Sequence, residues 1–224
     1  MDKKQVYQID EKIMFYRELL MQMVTRVEQA ILKATMAMEN NDVKLANAVI
    51  KEDFFINQLR DMIESDAVRL LISEAPYGHY MRQVIAGLKI VTSLERMGDH
   101  ATHLAKMVGK DTSFNDERAV SIVKGIIEMS NIVADMFRGA VDALIKIDSK
   151  QAKEVAKMDD EVDKRRELLK SQILECGPFE DINLRQNMYS YYYLVIELER
   201  VGDHITNICS WVVYMDEGVK PHLN

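Results

Sequence analysis

The sequence carries the heptapeptide LERMGDH at residues 94–100 and a near-identical copy, LERVGDH, at residues 198–204. In each copy the Glu and the Asp are four residues apart, which places both carboxylates on one face of an α-helix, one turn from each other. Apolar residues around the first copy alternate three and four apart, the spacing of a helix-bundle seam. The motif therefore predicts two helices of a bundle, the first with a seam of Leu94, Met97, Ala101, Leu104 and Val108.

The rest of the chain repeats in the same order as the motif. Asp42 and Asp148, each a candidate N-cap for the helix that follows it, are 106 residues apart. Asp53 and Asp159 are also 106 residues apart, and the two motif copies are 104 residues apart. Helical sequences match one another easily by register alone, but recurring caps, proline loops and a seven-residue motif do not arise that way. We therefore predict an internally duplicated chain.

Helical periodicity and its breaks predict three helices in each copy. These helices cover about residues 10–39, 43–73, 79–108, 116–146, 149–175 and 181–215. Residues 217–224 are expected to fray, as chain ends commonly do. The predicted fold class is all-α, a tandem repeat of two three-helix bundles with six long antiparallel helices. Residues 1–109 form the first repeat and residues 110–224 the second.

Composition excludes several classes of protein. The chain has 29 basic and 36 acidic residues and a formal net charge of −7, so non-specific nucleic-acid binding, which relies on Lys and Arg, is not expected. The N-terminus lacks the apolar core of a signal peptide, and no stretch approaches the roughly 18 apolar residues of a membrane span. We expect a cytoplasmic protein that meets a membrane only peripherally, through its partners.

The repeated Glu and Asp predict a metal site in each half. Like charges one helical turn apart repel each other, and a cation between them removes the repulsion. The helix before each motif adds further acidic residues, and bridging carboxylates of this kind hold multinuclear metal sites in bundles. Oxygen ligands with an occasional imidazole suit Fe, Zn, Mn or Mg. The predicted ligands are Glu95, Asp99, His103 and Asp53 in the first half and Glu199, Asp203, Asn207, Asp159 and Asp163 in the second.

The glycine and the histidine of the motif have structural interpretations. A glycine in a helix interior costs about 1 kcal/mol relative to Ala, so its recurrence as Gly98 and Gly202 indicates close approach of a neighbouring helix backbone. His100 and His204 point about 100° away from the preceding Asp. They are expected at the surface or behind the ligands, and His103 is the better candidate ligand.

At these residues the sequence resembles the PhoU family, whose mark is a tandem three-helix repeat with L-E-R-hydrophobic-G-D on each third helix. The segments LERMGDHATHLAKMV and LERVGDHITNICSWV resemble the two copies, and Asp53 and Asp159 stand where the family has its second-helix Asp. The resemblance implies a negative regulator of phosphate uptake and of the phosphate-starvation response. It also implies a phosphate ABC transporter and a sensor histidine kinase as partners, a homodimer, and metal clusters on the E-x-x-x-D stripes.

The chain departs from the family pattern at His103, where the family often has Asn, as it does here at Asn207. The two predicted metal sites can therefore differ in metal preference or in occupancy.

Two alternatives to a metal-binding regulator stay open at this point. A carboxylate-bridged metalloenzyme needs an open coordination position and a substrate pocket, but the common catalytic motifs are absent from the sequence, so we predict no enzymatic activity. A purely structural helical adaptor for another transporter would carry the same acidic residues as a solvated face, with Arg96 and Arg200 as charge partners.

Overall fold

The computed structural model describes residues 3–109, 119–176 and 182–223. Its long elements are α-helices, as predicted: α1 (Lys3–Asn40), α2 (Val43–Ser73), α3 (His79–Met107), α4 (Val120–Lys146), α5 (Ser149–Ala156), α6 (Asp159–Glu175) and α7 (Ile182–Glu217). The predicted starts of the fourth and sixth helices, at 116 and 181, lie outside the described residues. Within the described ranges no helix is both long enough and apolar enough to cross a membrane.

The fifth predicted helix is interrupted after Ala156 and resumes at Asp159, so the structure corrects the expectation of one helix. At the interruption the N–H of Met158 donates to the carbonyl of Val155 at 3.0 Å, and the N–H of Glu161 donates to the carbonyl of Met158 at 3.0 Å. In both hydrogen bonds the donor and the acceptor are three residues apart, as in a 3₁₀ turn, which is tighter than an α-helix. The turn leaves Asp159 as the first residue of α6, with its side chain buried.

Two aspartates cap helices as predicted. Oδ1 of Asp42 accepts hydrogen bonds from the backbone N–H groups of Lys44 and Leu45 at 2.9 and 3.0 Å. Oδ1 of Asp148 accepts one from the N–H of Gln151 at 2.9 Å. An Asp at this position satisfies donors that the helix itself leaves free. The residue before each cap adopts a left-handed conformation, with φ of 50° and 53°, which turns the chain sharply between consecutive helices.

The two halves of the chain meet mainly along α3 and α7, the helices that carry the motif. In the first half α1 and α2 pack on α3, and in the second half α4, α5 and α6 pack on α7. Arg82, near the start of α3, donates to the carbonyl of Met215, near the end of α7, at 3.1 Å. The two central helices are therefore antiparallel, and the predicted seam from Leu94 to Val108 is buried.

The end of the chain packs against α7, so the prediction of a frayed tail is wrong for residues 217–223. Nζ of Lys220 lies 4.4 Å from the centre of the Trp211 ring, and it donates a hydrogen bond to Oδ1 of Asn207 at 3.1 Å. A cation over an aromatic face contributes about 0.5–1 kcal/mol at an exposed site. The two contacts together hold the tail in place.

Candidate functional site

The motif glycines bring the aspartates of the preceding helix against α3 and α7. A Cβ added at Gly98 would lie 3.1 Å from Ile56 and 3.5 Å from Oδ1 of Asp53. A Cβ added at Gly202 would lie 2.8 Å from Oδ1 of Asp159, closer than Cβ contacts in real structures. A neighbouring helix does come close to each glycine, but the nearest atoms belong to side chains, so the prediction of close backbone approach is not confirmed.

The carboxylate of Asp53 is only partly satisfied by its own helix. Its Oδ2 accepts a hydrogen bond from Nδ2 of Asn57 at 2.9 Å, but its Oδ1 is buried and has no hydrogen-bond partner among the described residues. Desolvation raises the pKa of this carboxyl, and the negative charge of Asp99 raises it further. The positive charge of Lys106 opposes this effect, but Oδ1 accepts no hydrogen bond from it, and a cation at Oδ1 would satisfy this buried acceptor.

The carboxylates of the second half repel each other in the same way. Partial desolvation raises the pKa of Asp203 from 3.8 to about 6, and the charges of Glu199 and Asp159 add to the effect. Asp163 contributes a smaller repulsion, and the positive charge of Arg166 opposes it. Asp159 is buried, whereas Asp203 keeps contact with solvent. In each half, two facing helices therefore each contribute one predicted aspartate: Asp53 and Asp99 in the first half, and Asp159 and Asp203 in the second.

An arginine from the preceding helix neutralises the motif Glu in each half. Nη1 of Arg60 donates to Oε1 of Glu95 at 2.9 Å, and Arg166 donates to Glu199 in the same way. Nη2 of Arg166 also lies 3.6 Å from the exposed Asp163. Sequence analysis missed both arginines, although they are 106 residues apart, the offset that relates the second helices of the two halves. Each motif Glu therefore has an arginine partner, whereas neighbouring negative charges raise the pKa of Asp53 and of Asp203.

The last residue of each predicted stripe contacts the other half of the chain. Nδ1 of His103 lies 2.8 Å from Oε2 of Glu197, and Nδ2 of Asn207 donates to Oγ of Ser93 at 2.8 Å. The reason is helical geometry, because four residues advance about 400°, so each of these side chains is rotated about 40° from the motif Asp. These two predicted ligands lie at the interface of α3 and α7, and their role as ligands of the stripes stays a prediction.

A second group of metal-ligating side chains lies at the same interface. His100 and His103 each place Nδ1 at 2.8 Å from Oε2 of Glu197. The ring of His204 stacks on that of His100, with the centroids 5.5 Å apart. His100 and Glu197 are buried, with 8% and 1% of their surface exposed. Of the two positions expected for His100, at the surface or behind the ligands, the burial of its side chain excludes the surface.

Glu197 is a candidate residue that sequence analysis missed. Burial alone raises the pKa of its carboxyl, but hydrogen bonds from His100 and His103 lower it by more, so the net pKa lies below the ordinary value. Two features of the sequence could have indicated the group. His100 and His103 are three residues apart, on one helical face, and Glu197 stands 104 residues after Ser93, so it breaks the internal repeat next to the motif.

Comparison with known proteins gives matches over most of the chain. The family model of the PhoU domain matches this sequence twice, over residues 20–108 and 126–212. Each matched segment contains one copy of the motif. A phosphate-specific transport system accessory protein PhoU homolog from Clostridium acetobutylicum is 32% identical over 206 residues, which are 92% of this chain and 92% of that protein. A homolog of the same name from Aquifex aeolicus is 31% identical over 202 residues, which are 90% of each chain.

Two solved structures superpose on nearly the whole chain. The crystal structure of the phosphate transport system regulatory protein PhoU from Streptococcus pneumoniae superposes with a TM-score of 0.85 at 26% identity, covering 96% of this chain and 99% of that one. PhoU from Pseudomonas aeruginosa superposes with a TM-score of 0.84 at 27% identity, covering 94% of this chain and 99% of that one.

Proposed function

The chain belongs to the PhoU family, and from that membership we propose that it is a negative regulator of phosphate uptake and of the phosphate-starvation response. Similar proteins bear the names of accessory and regulatory proteins of phosphate transport, which supports this function. In our proposal the protein acts in the cytoplasm as a homodimer, through the phosphate ABC transporter and its sensor histidine kinase. It catalyses no reaction of its own.

The proposal includes metal ions held by the paired aspartates of each half. The observation that carries it is the buried Oδ1 of Asp53, which has no hydrogen-bond partner among the described residues and which feels the charge of Asp99. In the second half, Oδ1 of Asp159 lies against Gly202, and the charge of Asp159 helps to raise the pKa of Asp203 on the facing helix. Carboxylate oxygens suit Fe, Mn, Mg or Zn, so the residues present fit such a metal.

The arginine–glutamate pairs position these aspartates. Arg60 ties α2 to α3 through Glu95, and Arg166 ties α6 to α7 through Glu199. The ion pairs hold facing helices together although each helix presents an aspartate to the other. A bound cation would reduce the repulsion between the facing aspartates, and because it binds the folded chain it would stabilise that packing.

Regulation then requires that a partner distinguishes the metal-loaded chain from the metal-free one. If metal stiffens the contact of the second and third helices in each half, a transporter or kinase surface that binds the stiffened form gains affinity. By linkage, that partner also tightens metal binding by the same factor.

Complementation tests the proposal in a bacterial host whose own PhoU-family gene is deleted. Phosphate uptake and a phosphate-starvation reporter are measured in phosphate-rich medium. We expect the native chain to repress both, and a variant with Asn at Asp53, Asp99, Asp159 and Asp203 to lose its metal and its repression. Asp160→Asn, on the exposed side of α6, is the matched control and should repress normally. Failure of the native chain to repress would contradict the regulatory function. A variant that has lost its metal yet still represses would contradict only the role of the metal.

A further inference from the structure

His100, His103 and Glu197 lie where α3 crosses α7, whereas the aspartate pairs lie between α2 and α3 and between α6 and α7. The candidate ligand atoms of the three residues all lie within 4.8 Å of one another. Within the described part of the chain, no other three His, Cys, Asp or Glu residues bring their ligand atoms this close. The group takes two residues from the first half of the chain and one from the second, so anything bound there contacts both halves.

We propose that these three residues bind one divalent cation of the zinc class and that the bound ion clamps α3 to α7. Two imidazoles and one carboxylate are a ligand set that Zn²⁺ accepts, with bonds of about 2.0–2.2 Å. Tetrahedral ligands at such distances are roughly 3.3 Å apart. The nitrogen–oxygen distances of 2.8 Å in the structure therefore need to open by only about 0.5 Å.

The three ligands are held in position before any ion binds. His100 and His103 are three residues apart on one helix, so they project from the same face. The carboxylate of Glu197 is enclosed, and the ring of His204 stacks on His100 at an interplanar angle of 27°. The side chain of His103 is 40% exposed, which opens the group to solvent and gives an ion a path of entry. Each imidazole would bind through Nδ1 with its proton on Nε2.

The internal repeat shows that packing alone does not need this ligand set. The positions equivalent to His103 and Glu197 are Asn207 and Ser93, each related by 104 residues. There the contact between α3 and α7 is a neutral hydrogen bond from Nδ2 of Asn207 to Oγ of Ser93 at 2.8 Å, and Oδ1 of Asn207 accepts from Lys220 in the tail. The contact of α3 with α7 therefore has two equivalent places. At one, Asn207 and Ser93 form a neutral pair, and at the other, the buried carboxylate of Glu197 contacts two imidazoles. Oε1 of Glu197 lies 3.7 Å from Nη1 of the exposed Arg200. A cation held by Oε2 and the two imidazoles would add positive charge directly at the buried carboxylate, which is otherwise costly to bury.

Cobalt titration of the full chain, stripped of metal with a chelator, tests the proposal. Tetrahedral Co²⁺ with nitrogen ligands absorbs visible light strongly, whereas six-coordinate Co²⁺ on carboxylates absorbs weakly, so the spectrum separates this group from the aspartate pairs. We expect the native chain to show the strong band with one equivalent of Co²⁺ and to lose it on addition of Zn²⁺. Absence of the band in the native chain overturns the proposal.

The matched variant is His103→Asn/Glu197→Ser, which copies the pair that the fold already contains at Asn207 and Ser93. We expect it to lose the band and one equivalent of Zn²⁺, with affinity at this group reduced by more than about 100-fold, since changes behind the ligands alone cost about 10–100-fold. If the double variant does not fold, as judged by circular dichroism, the isosteric Glu197→Gln takes its place. Retention of the band in the folded variant overturns the proposal.

Two further measurements separate a clamp from a general metal effect. Asp99→Asn/Asp203→Asn removes charge from both aspartate pairs and is expected to keep the strong cobalt band. Zinc is expected to slow amide hydrogen exchange in the turns of α3 and α7 around Glu197 in the native chain but not in His103→Asn/Glu197→Ser. Equal slowing in both proteins would contradict the clamp.

Discussion

The charge of Asp203 is expected to destabilise the metal-free protein. Partial desolvation, with the neighbouring charges of Glu199 and Asp159, raises the pKa of this carboxyl from 3.8 to about 6. Each unit of pKa corresponds to about 1.4 kcal/mol of differential interaction, which sets an upper bound of about 3 kcal/mol. Because Asp203 keeps contact with solvent, screening reduces the expected effect to about 1 kcal/mol.

The sign of the pH dependence follows from the direction of the shift. An acid with a higher pKa in the folded state binds more protons there than in the unfolded chain, so its contribution to stability falls as the pH rises from about 4 to about 6. The penalty is fully present at pH 7 and is absent below the pKa of the unfolded chain. Asp203→Asn removes the charge. We therefore expect the variant to be more stable than the native chain by about 1 kcal/mol at pH 7 and equally stable near pH 4.

Urea denaturation followed by circular dichroism, with a chelator present, measures this difference at both pH values. Asp160→Asn is the control, because it removes a charge of the same sign from the exposed side of α6. Adding the metal is expected to reverse the order, since the native chain gains the larger stabilisation from it. The reasoning would be refuted if, in the presence of chelator, Asp203→Asn had a lower free energy of unfolding than the native chain at pH 7 and the difference were the same at pH 4.

Three further predictions concern the fold around the site. Asp42→Ala removes the acceptor of two backbone N–H groups and should lower the free energy of unfolding by about 1 kcal/mol in a urea titration; no loss would contradict the capping role. Gly202→Ala places a methyl group 2.8 Å from Oδ1 of Asp159, so it should lower the free energy of unfolding by about 1–3 kcal/mol, and by more than Gly98→Ala, where the nearest atom is an isoleucine methyl at 3.1 Å. Equal melting temperatures of the two variants would contradict this comparison. Lys220→Ala should change the fluorescence of the single tryptophan, whose ring lies 4.4 Å from Nζ, without changing the helical content; an unchanged spectrum would contradict the docked tail.

The sequence alone determined which segments are helical and where several of them begin. Helical periodicity, capping and glycine or proline breaks depend on residues within about one turn of each other, so Asp42 and Asp148 were identifiable as caps without any knowledge of packing. The internal repeat also showed that the second helices of the two halves correspond, because Asp53 and Asp159 are 106 residues apart, the same spacing as Asp42 and Asp148. The break at the start of α6 was not predictable from periodicity, since the apolar pattern continues across it.

Tertiary structure decided which side chains share a site. The pairing of Asp53 with the first motif depends on the contact of α2 with α3, and the sequence could only place each residue on a face of its own helix. The contact of His103 with Glu197 depends on the crossing of α3 and α7, between residues 94 positions apart. A rotation of about 40° per four residues is enough to move the end of a stripe from one neighbouring helix to another. The periodicity of a single helix does not contain the position of its neighbours, and only their packing decides which residues meet.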